Sequence, residues 1–480
     1  MKLRYLTVVF LILFVRLSFA QQRFENAVNT LIEKTEYKSA IVGIHVLNLN
    51  SGESIFEMNA NKCLIPASTM KLITTATTLE MLGADYRFKT QIGFSGKIRN
   101  GSLTGDIIVV GGGDPTLGSE YFNESGSKAH FLDVWAKQIK SAGIQIIEGN
   151  LILDGSIYDS ERIPDTWIWG DIGNYYGASA SAFTVYDNLY RITFKSPKRA
   201  GERTKIISTY PNIDDVDIKN EVLSSDINND LAFVFGSPLD KTRVIRGTIP
   251  KNRKAFTIKA AIQNPEELLA KEIIQHLAQN GIFVNGEILM EKTEQKKRQT
   301  IYIHESPAVS EIMKVLNYES INLFAEHFLK QISAEESGIG SRTESIVMVK
   351  NFWDSKGICT DNLFMEDGSG LSHFNAVTPK FFTTVLNYMF QSNINYSTFS
   401  NSLPPAGEGT LKSFNTDKFH DNSLRAKSGS MTRVRCYAGY LKTESGKKYA
   451  FSFMFNQFSG THSKLVSEIE NLLSELRKSD

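Results

Sequence analysis

Pro66-Ala67-Ser68-Thr69-Met70-Lys71 places a proline two positions before a serine and a lysine three positions after it, at the head of a helix-compatible run that reaches Leu82 and meets Gly83. Ser68 is expected in the first helical turn, where the positive end of the helix dipole faces developing negative charge. Lys71, at i+3, falls on the same face and within reach of the serine oxygen. A serine hydroxyl needs a base to become a nucleophile, and a lysine kept partly neutral by burial and a nearby cation can supply it. The bland alternative is a capping serine beside a surface lysine. That is how the other two S-x-x-K matches read: Ser125 lies in a Gly/Ser loop and Ser445 in a hairpin turn, and neither opens an apolar helix.

Two further tripeptides follow in chain order. Ser320-Ile321-Asn322 falls at a helix junction, where both polar side chains can project from one turn. There Ser320 can relay a proton and Asn322 can hold an amide or the lysine head; the alternative is a helix N-cap serine with a nearby asparagine. Ser413-Phe414-Asn415 has the same pattern and reads as that alternative, in a loop. Lys427-Ser428-Gly429 lies on a strand-like segment that returns as Val434–Leu441. Gly429 lets another backbone lie close against the strand, Lys427 offers a fixed charge to a carboxylate, and the N–H groups of Ser68 and Ser430 can form an oxyanion hole. In isolation Lys427 reads equally well as an edge-strand lysine. Each motif alone is weak; their order and context make the set strong.

Around these motifs, residues 1–20 read as a secretory leader, with Lys2 and Arg4, an apolar run Tyr5–Val15 and Ser18-Phe19-Ala20 as a cleavage site. Arg16 breaks the apolar stretch and no cysteine follows, so neither a membrane span nor a lipid anchor is expected, and the chain is expected to be exported, periplasmic or otherwise extracytoplasmic. Loss of Lys2, Arg4 and Arg16 leaves 50 Lys+Arg against 52 Asp+Glu. With no basic run longer than Lys296-Lys297-Arg298, nucleic acid is not an expected partner. Cys63, Cys359 and Cys436 allow at most one disulfide, and buried small hydrophobe is the plainer reading for at least one of them. Eight scattered histidines offer no metal spacing, and neither metal nor cofactor is expected.

Helical patterns are expected over Glu25–Lys34, Val309–Asn317 and Ser320–Ser333, with Ser306-Pro307 as cap and first residue of the second. Strands are expected at Ile41–Leu47, Ser54–Phe56, Val434–Leu441 and Lys448–Asn456. A final amphipathic helix lines up Leu465, Ile469, Leu472 and Leu476, and its place after a hairpin favours packing on a sheet over lying on a membrane. Between Tyr86 and the charged segment Glu291–Arg298, short β-like runs alternate with turns such as Gly111-Gly112-Gly113-Asp114-Pro115 and with helical stretches near His130–Ala142 and Pro265–Asn280. The organisation expected is a catalytic domain of residues 21–85 and 299–480 interrupted by an inserted region, 86–298, of two small domains.

The chain resembles the D-Ala-D-Ala carboxypeptidase/endopeptidases of the low-molecular-mass class C penicillin-binding proteins over nearly its whole length. Besides the three motifs, the resemblance rests on Val110-Gly111-Gly112-Gly113-Asp114-Pro115-Thr116-Leu117, Asp367-Gly368-Ser369-Gly370-Leu371-Ser372 with Val377-Thr378-Pro379, and Leu403-Pro404-Pro405-Ala406-Gly407 before Gly409-Thr410-Leu411. It implies an α/β (α+β) transpeptidase domain of the penicillin-binding-protein/β-lactamase type: an antiparallel sheet with helices on both faces, a helical lobe and a large mixed insert. It also implies cleavage of terminal D-Ala from peptidoglycan stems and of D-Ala–diaminopimelate cross-links, with β-lactams as inhibitors. Asp171 in Trp167-Ile168-Trp169-Gly170-Asp171 would meet the diaminopimelate ammonium and Tyr176 would form an apolar wall; surface polar plus core aromatic is the alternative. His373 stands where the family often has arginine, which bears on carboxylate recognition.

Competing readings are a serine β-lactamase-like hydrolase, for which no E-x-x-L-N segment is found, and a catalytically silent wall-binding protein, against which intact Ser68, Lys71, Ser320, Asn322 and Lys427 speak.

Overall fold

The structure is a computed structural model that describes residues 22–122, 127–213, 216–294, 298–392 and 394–479. The leader read at residues 1–20 and the Ser125 motif lie outside the described residues. Two compact units emerge: one comprises the chain to Ala84, Ser310–Ile321 and Ile346–Asp480, the other Asp85–Val309 and Asn322–Ser345.

The first unit is built on five antiparallel strands: β1 (Ile41–Asn48), β2 (Ser54–Met58), β3 (Leu424–Met431), β4 (Val434–Lys442) and β5 (Lys448–Asn456), in the order β2-β1-β5-β4-β3. The period-two alternation of side chains sorts β1 onto two faces. Val42, Ile44 and Val46 share a core with Phe451, Phe453 and Phe455 of β5, with Phe24, Val28 and Leu31, and with Leu465, Ile469, Leu472 and Leu476 of the last helix, α4 (His462–Arg477). The C-terminal helix therefore packs on the sheet, as its one-sided apolar pattern implies. Gly43 and His45 point the other way, towards α3 (Pro379–Gln391): a Cβ on Gly43 would lie 2.8 Å from Pro379 Cγ, and His45 Nδ1 bonds Thr383 Oγ1. The same unit holds α1 (Lys71–Leu82) and α2 (Val309–Glu319).

Two local expectations need correcting. The helix expected over Ser320–Ser333 starts at Asn322, because Ser320 has φ +59°, a left-handed residue that ends α2 while Ile321 N–H bonds back to Leu316 O. Ser306 does not cap α2, which begins at Val309; its hydroxyl accepts the Phe88 N–H instead.

Among its described residues the second unit has two larger apolar cores. One lies under a five-stranded mixed sheet, in the order Ile288–Met290, Leu151–Asp154, Ile107–Val110, Lys89–Phe94 and Gln299–Glu305, with the helices His130–Ser141 and Pro265–Gln279. The other gathers Tyr190, Ile192, Phe194, Val234, Ile245 and Ile258 from the strands around Leu189–Lys195 and Thr242–Pro250. The helix Asn322–Ser337 is buried on all sides from Asn322 to Ala334. Its polar residues must therefore find partners, and they do: His327 Nε2 lies 2.7 Å from Thr184 Oγ1, Lys330 Nζ 2.7 Å from Asp159 Oδ1, and Gln331 Oε1 accepts the Tyr158 hydroxyl at 3.0 Å. Burial depresses the His327 imidazole to about 3, which keeps it neutral. All three cysteines are free: Cys63 and Cys359 are exposed, and Cys436 is buried, its thiol pushed up to about 12 by desolvation. No described helix is long and apolar enough to cross a membrane.

Candidate active site

In the first unit, Ser68 sits in a single 3-10 turn, Ala67–Met70, that feeds α1. Ala67 has φ +47°, a left-handed conformation that costs a residue with a Cβ on the order of 1–3 kcal/mol. Strain of this kind persists only where the surroundings hold it, and here two glycines do. A Cβ on Gly429 of β3 would fall 2.5 Å from Pro66 O and 3.1 Å from Ser68 N; one on Gly370 would fall 1.9 Å from Ala67 O. The Ser68 turn is thus wedged between the edge strand and the Gly370 loop with no room for a methyl group on either side.

Lys71, fully buried at the start of α1, lies with Nζ 3.0 Å from Ser68 Oγ and donates to Ser369 O at 2.6 Å. The loop bearing that carbonyl is held by buried Asp367. Its Oδ1 accepts from Gly370 N–H at 2.7 Å and Asn375 Nδ2 at 2.8 Å, and its Oδ2 accepts from Ser372 N–H at 2.6 Å. Thr74 Oγ1 ties the same loop to α1 through Gly368 O at 2.6 Å.

Lys427 on β3 is also fully buried; Nζ donates to Ser320 Oγ at 2.8 Å and to Ser428 O at 2.9 Å. Its ammonium is pushed well below the usual lysine range, first by burial and then by the charges of Lys71 and Arg435. Strand alternation sets Lys427 and Gly429 on one face and Ser428 and Ser430 on the other. Because Ala426 N–H bonds outward to Pro404 O, the backbone N–H groups of Ser428 and Ser430 also point away from β4, along the free edge. The arrangement offers a hydroxyl with an amine beside it, a second serine carrying a lysine, and strand donors along an edge: the parts that acyl transfer to serine requires.

Ser68, Lys71, Ser320, Lys427, Ser428, Gly429 and Ser430 are all in this unit, as is His373, exposed on the loop after Ser372. Asn322, Asp171 and Tyr176 belong to the second unit, where they are brought together: Asn322 Nδ2 donates to Tyr176 O at 2.7 Å, and the Tyr176 phenol, raised above its ordinary value by burial and by Asp171, hydrogen-bonds the Asp171 carboxylate. The sequence reading did not single out three contributors: the Ser369 carbonyl on Lys71, the Asp367 anchor and the Gly370 cradle. A backbone carbonyl leaves no mark in side-chain identity, and the Asp367–Ser372 run was read only as a family marker.

A family model for the D-Ala-D-Ala carboxypeptidase 3 (S13) family matches residues 24–476. The chain is 29% identical over 454 residues to the D-alanyl-D-alanine carboxypeptidase of Actinomadura sp. (strain R39), covering 90% of this chain and 81% of that protein. It is 28% identical over 479 residues to the D-alanyl-D-alanine carboxypeptidase DacB of Haemophilus influenzae, covering 96% of both. Among solved structures, penicillin binding protein 4 (dacB) of Haemophilus influenzae superposes with a TM-score of 0.80 at 26% identity, over 92% of this chain and 97% of that one. The same protein in complex with a β-lactam gives a TM-score of 0.76 at 25% identity.

Proposed function

The chain belongs to the D-Ala-D-Ala carboxypeptidase 3 (S13) family, and from that premise we propose how its own residues perform the family's reaction. It is a serine-type D-Ala-D-Ala carboxypeptidase/endopeptidase of peptidoglycan, working through an acyl-enzyme on the penicillin-binding fold. Peptidoglycan lies outside the cytoplasmic membrane, so the protein acts extracytoplasmically; a periplasmic place is our reading of the leader.

Ser68 Oγ gives its proton to Lys71 and attacks the penultimate D-Ala carbonyl, forming the ester and breaking the peptide C–N bond. The oxyanion is received by the N–H groups of Ser68 and Ser430. Ser320, which accepts a hydrogen bond from a Lys427 that keeps its charge, helps return the proton taken up by Lys71 to the departing amine, and Asn322 holds the substrate amide. Lys427 and Ser428 hold the terminal carboxylate, and water then releases the acyl group. The single observation that carries this reading is the Ser68–Lys71 contact at the head of a strained turn. For the cross-link side chain we assign Asp171 to the ammonium, Tyr176 to the apolar wall and His373 to a carboxylate. The Asp171–Tyr176 bond and the Asn322–Tyr176 contact support the first two. We also read residues 86–298 as an insertion into a catalytic domain of 21–85 and 299–480.

The test is intact-mass spectrometry after brief incubation with benzylpenicillin, alongside D-alanine release from a stem pentapeptide. A stable adduct with D-alanine release is expected. Rapid loss of penicillin without an adduct would make the protein a β-lactamase, and neither adduct nor turnover would make it a binding protein.

The state of Lys427 predicts a pH profile. A depressed lysine is charged below its lowered pKa and loses its proton as pH rises through it. Acylation by benzylpenicillin, whose carboxylate needs that charge, is therefore expected to decline on the alkaline side well below the ordinary lysine range of about 10.4. Lys427→Arg should move the limb upward, and an unmoved limb would remove Lys427 as its cause. For stability the sign is the opposite: between the folded and unfolded values the unfolded chain binds the extra proton, so stability from this group rises with pH across that window.

A further inference from the structure

The Ser320–Lys427 contact has a second crossbar beside it, and we propose that Tyr318 and Arg425 are positioning residues that hold Ser320 where it accepts from Lys427. The inference deepens the reading of Ser320 and Lys427 under Proposed function and rests on it. Tyr318 lies in the last turn of α2, two positions before Ser320, and Arg425 lies on β3, two positions before Lys427. Strand alternation sets Arg425 and Lys427 on the same face of β3. The Tyr318 phenol hydrogen-bonds Arg425, as Ser320 Oγ accepts from Lys427 at 2.8 Å. The end of α2 is therefore fastened to the edge strand twice, at a matching step of two residues along each element.

Ser320 needs such holding. Its φ of +59° is a left-handed backbone, which the surroundings must enforce in a residue that carries a Cβ. It follows α2 directly, so any swing of the helix end carries its hydroxyl off Lys427. The helix end is also wedged from outside the strand. A Cβ on Gly409 would lie 2.8 Å from Tyr318 O and 3.1 Å from Tyr318 Cα, and Asn317 Nδ2 donates to Ser402 Oγ at 3.0 Å. The segment between those two contacts is itself tied to β3: Pro404 O accepts the Ala426 N–H at 3.2 Å, Pro405 bridges Arg425 through the backbone, and Leu403 O accepts from Arg425 Nη1 at 2.9 Å. The guanidinium has donors enough for both that carbonyl and the phenol.

The charged neighbours fit this arrangement. Around the phenol stand Arg425 of β3, Glu408 of the wedging segment and Lys314 of α2, whose Nζ lies 5.6 Å from the ring centroid. Burial pushes the phenol above its ordinary value, so at neutral pH it keeps its proton and can accept from Arg425 while donating to Glu408. Lys427 faces Lys71 of α1 and Arg435 of β4. Both like charges disfavour its ammonium, which Ser320 Oγ and Ser428 O stabilise by accepting from it.

The test is a double-mutant cycle on D-alanine release from a stem pentapeptide, with Tyr318→Phe and Ser320→Ala made singly and together. Thermal unfolding and the alkaline limb of benzylpenicillin acylation are measured beside it. Tyr318→Phe removes one hydroxyl and leaves the ring. It is expected to lower kcat and kcat/KM together by about tenfold, within the cost of a misplaced reacting group. It should also move the alkaline limb to lower pH, because a Lys427 ammonium that loses its Ser320 acceptor gives up its proton sooner. In the Ser320→Ala background the same change should cost nothing further. A phenol that only braced the fold would lower the unfolding temperature and leave the limb and the kcat of folded protein alone. Should Tyr318→Phe fail to fold, Arg425→Met at its half-buried position enters the same cycle. An unchanged kcat, an unmoved limb, or effects of Tyr318→Phe and Ser320→Ala that multiply would overturn the proposal and leave the reading of Ser320 standing. Full activity of Ser320→Ala would end that reading, and this inference with it.

Discussion

Ser68→Ala protein is expected to gain no mass from benzylpenicillin and to release no measurable D-alanine, while keeping the fold and thermal unfolding of the wild type. Ser68 is half-buried and its hydroxyl accepts from the Lys71 amine at 3.0 Å, so removing the hydroxyl costs the fold little. Chemistry loses the atom that forms the ester. Lys71→Met is expected to be nearly as severe, slowing acylation by about 10³-fold, in the range of a positioned general base. The reason is that Lys71 is locked: Ser369 O takes its second proton at 2.6 Å, and the Asp367 loop fixes that carbonyl. Because nucleophile and base act as one unit, the double variant should be little worse than Ser68→Ala alone, a non-additivity that single effects cannot mimic. An adduct retained in Ser68→Ala would move the nucleophile elsewhere and end the mechanism.

Gly370→Ala is expected to be the most damaging change of a single methyl group. The new Cβ would lie 1.9 Å from Ala67 O and 3.0 Å from Met70 Cβ, and the backbone at φ +81° already disfavours a side chain. Strain and overpacking together suggest a loss of about 3 kcal/mol or more. The Ala67–Met70 turn can yield to that Cβ only by pressing towards β3, where Gly429 already leaves no room, so Ser68 is forced out of its place against the strand edge. Acylation should therefore fall further than the loss of folded protein explains. Gly446→Ala is the control: it shares the positive φ, +94°, but nothing lies within 4 Å of its Cβ. It should cost about 1 kcal/mol and leave acylation untouched. Equal effects at both positions, read by denaturation and by the acylation rate of the folded fraction, would show that backbone strain alone matters and that the Gly370–Ala67 contact does not.

Much of this was written in the chain order of side chains. Ser68 with Lys71 one turn on, Ser320 with Asn322, and Lys427 with Gly429 are local patterns, and local geometry fixes them: i+3 on a helix turn, alternate positions on a strand. The C-terminal helix declared its buried face through Leu465, Ile469, Leu472 and Leu476. Junctions read less well. Ser320 looked like a helix start because serine commonly caps helices, yet it ends the preceding one in a left-handed conformation usually left to glycine. Ser306 looked like a cap, yet its hydroxyl serves the Phe88 N–H, a partner 218 residues away in sequence.

By itself, then, the sequence determined the reaction class and the family fold, and it named the candidates proposed as nucleophile, base and anchor, because each rests on short-range spacing or on side-chain type. Tertiary structure alone decided what surrounds those residues. It put the Ser369 carbonyl on Lys71 across 298 residues, set Lys427 against Ser320 across 107, and packed Gly370 and Gly429 against the strained turn. A carbonyl is the same in every residue, and a close approach is a property of two segments at once, so neither can be legible until distant parts of the chain are folded together.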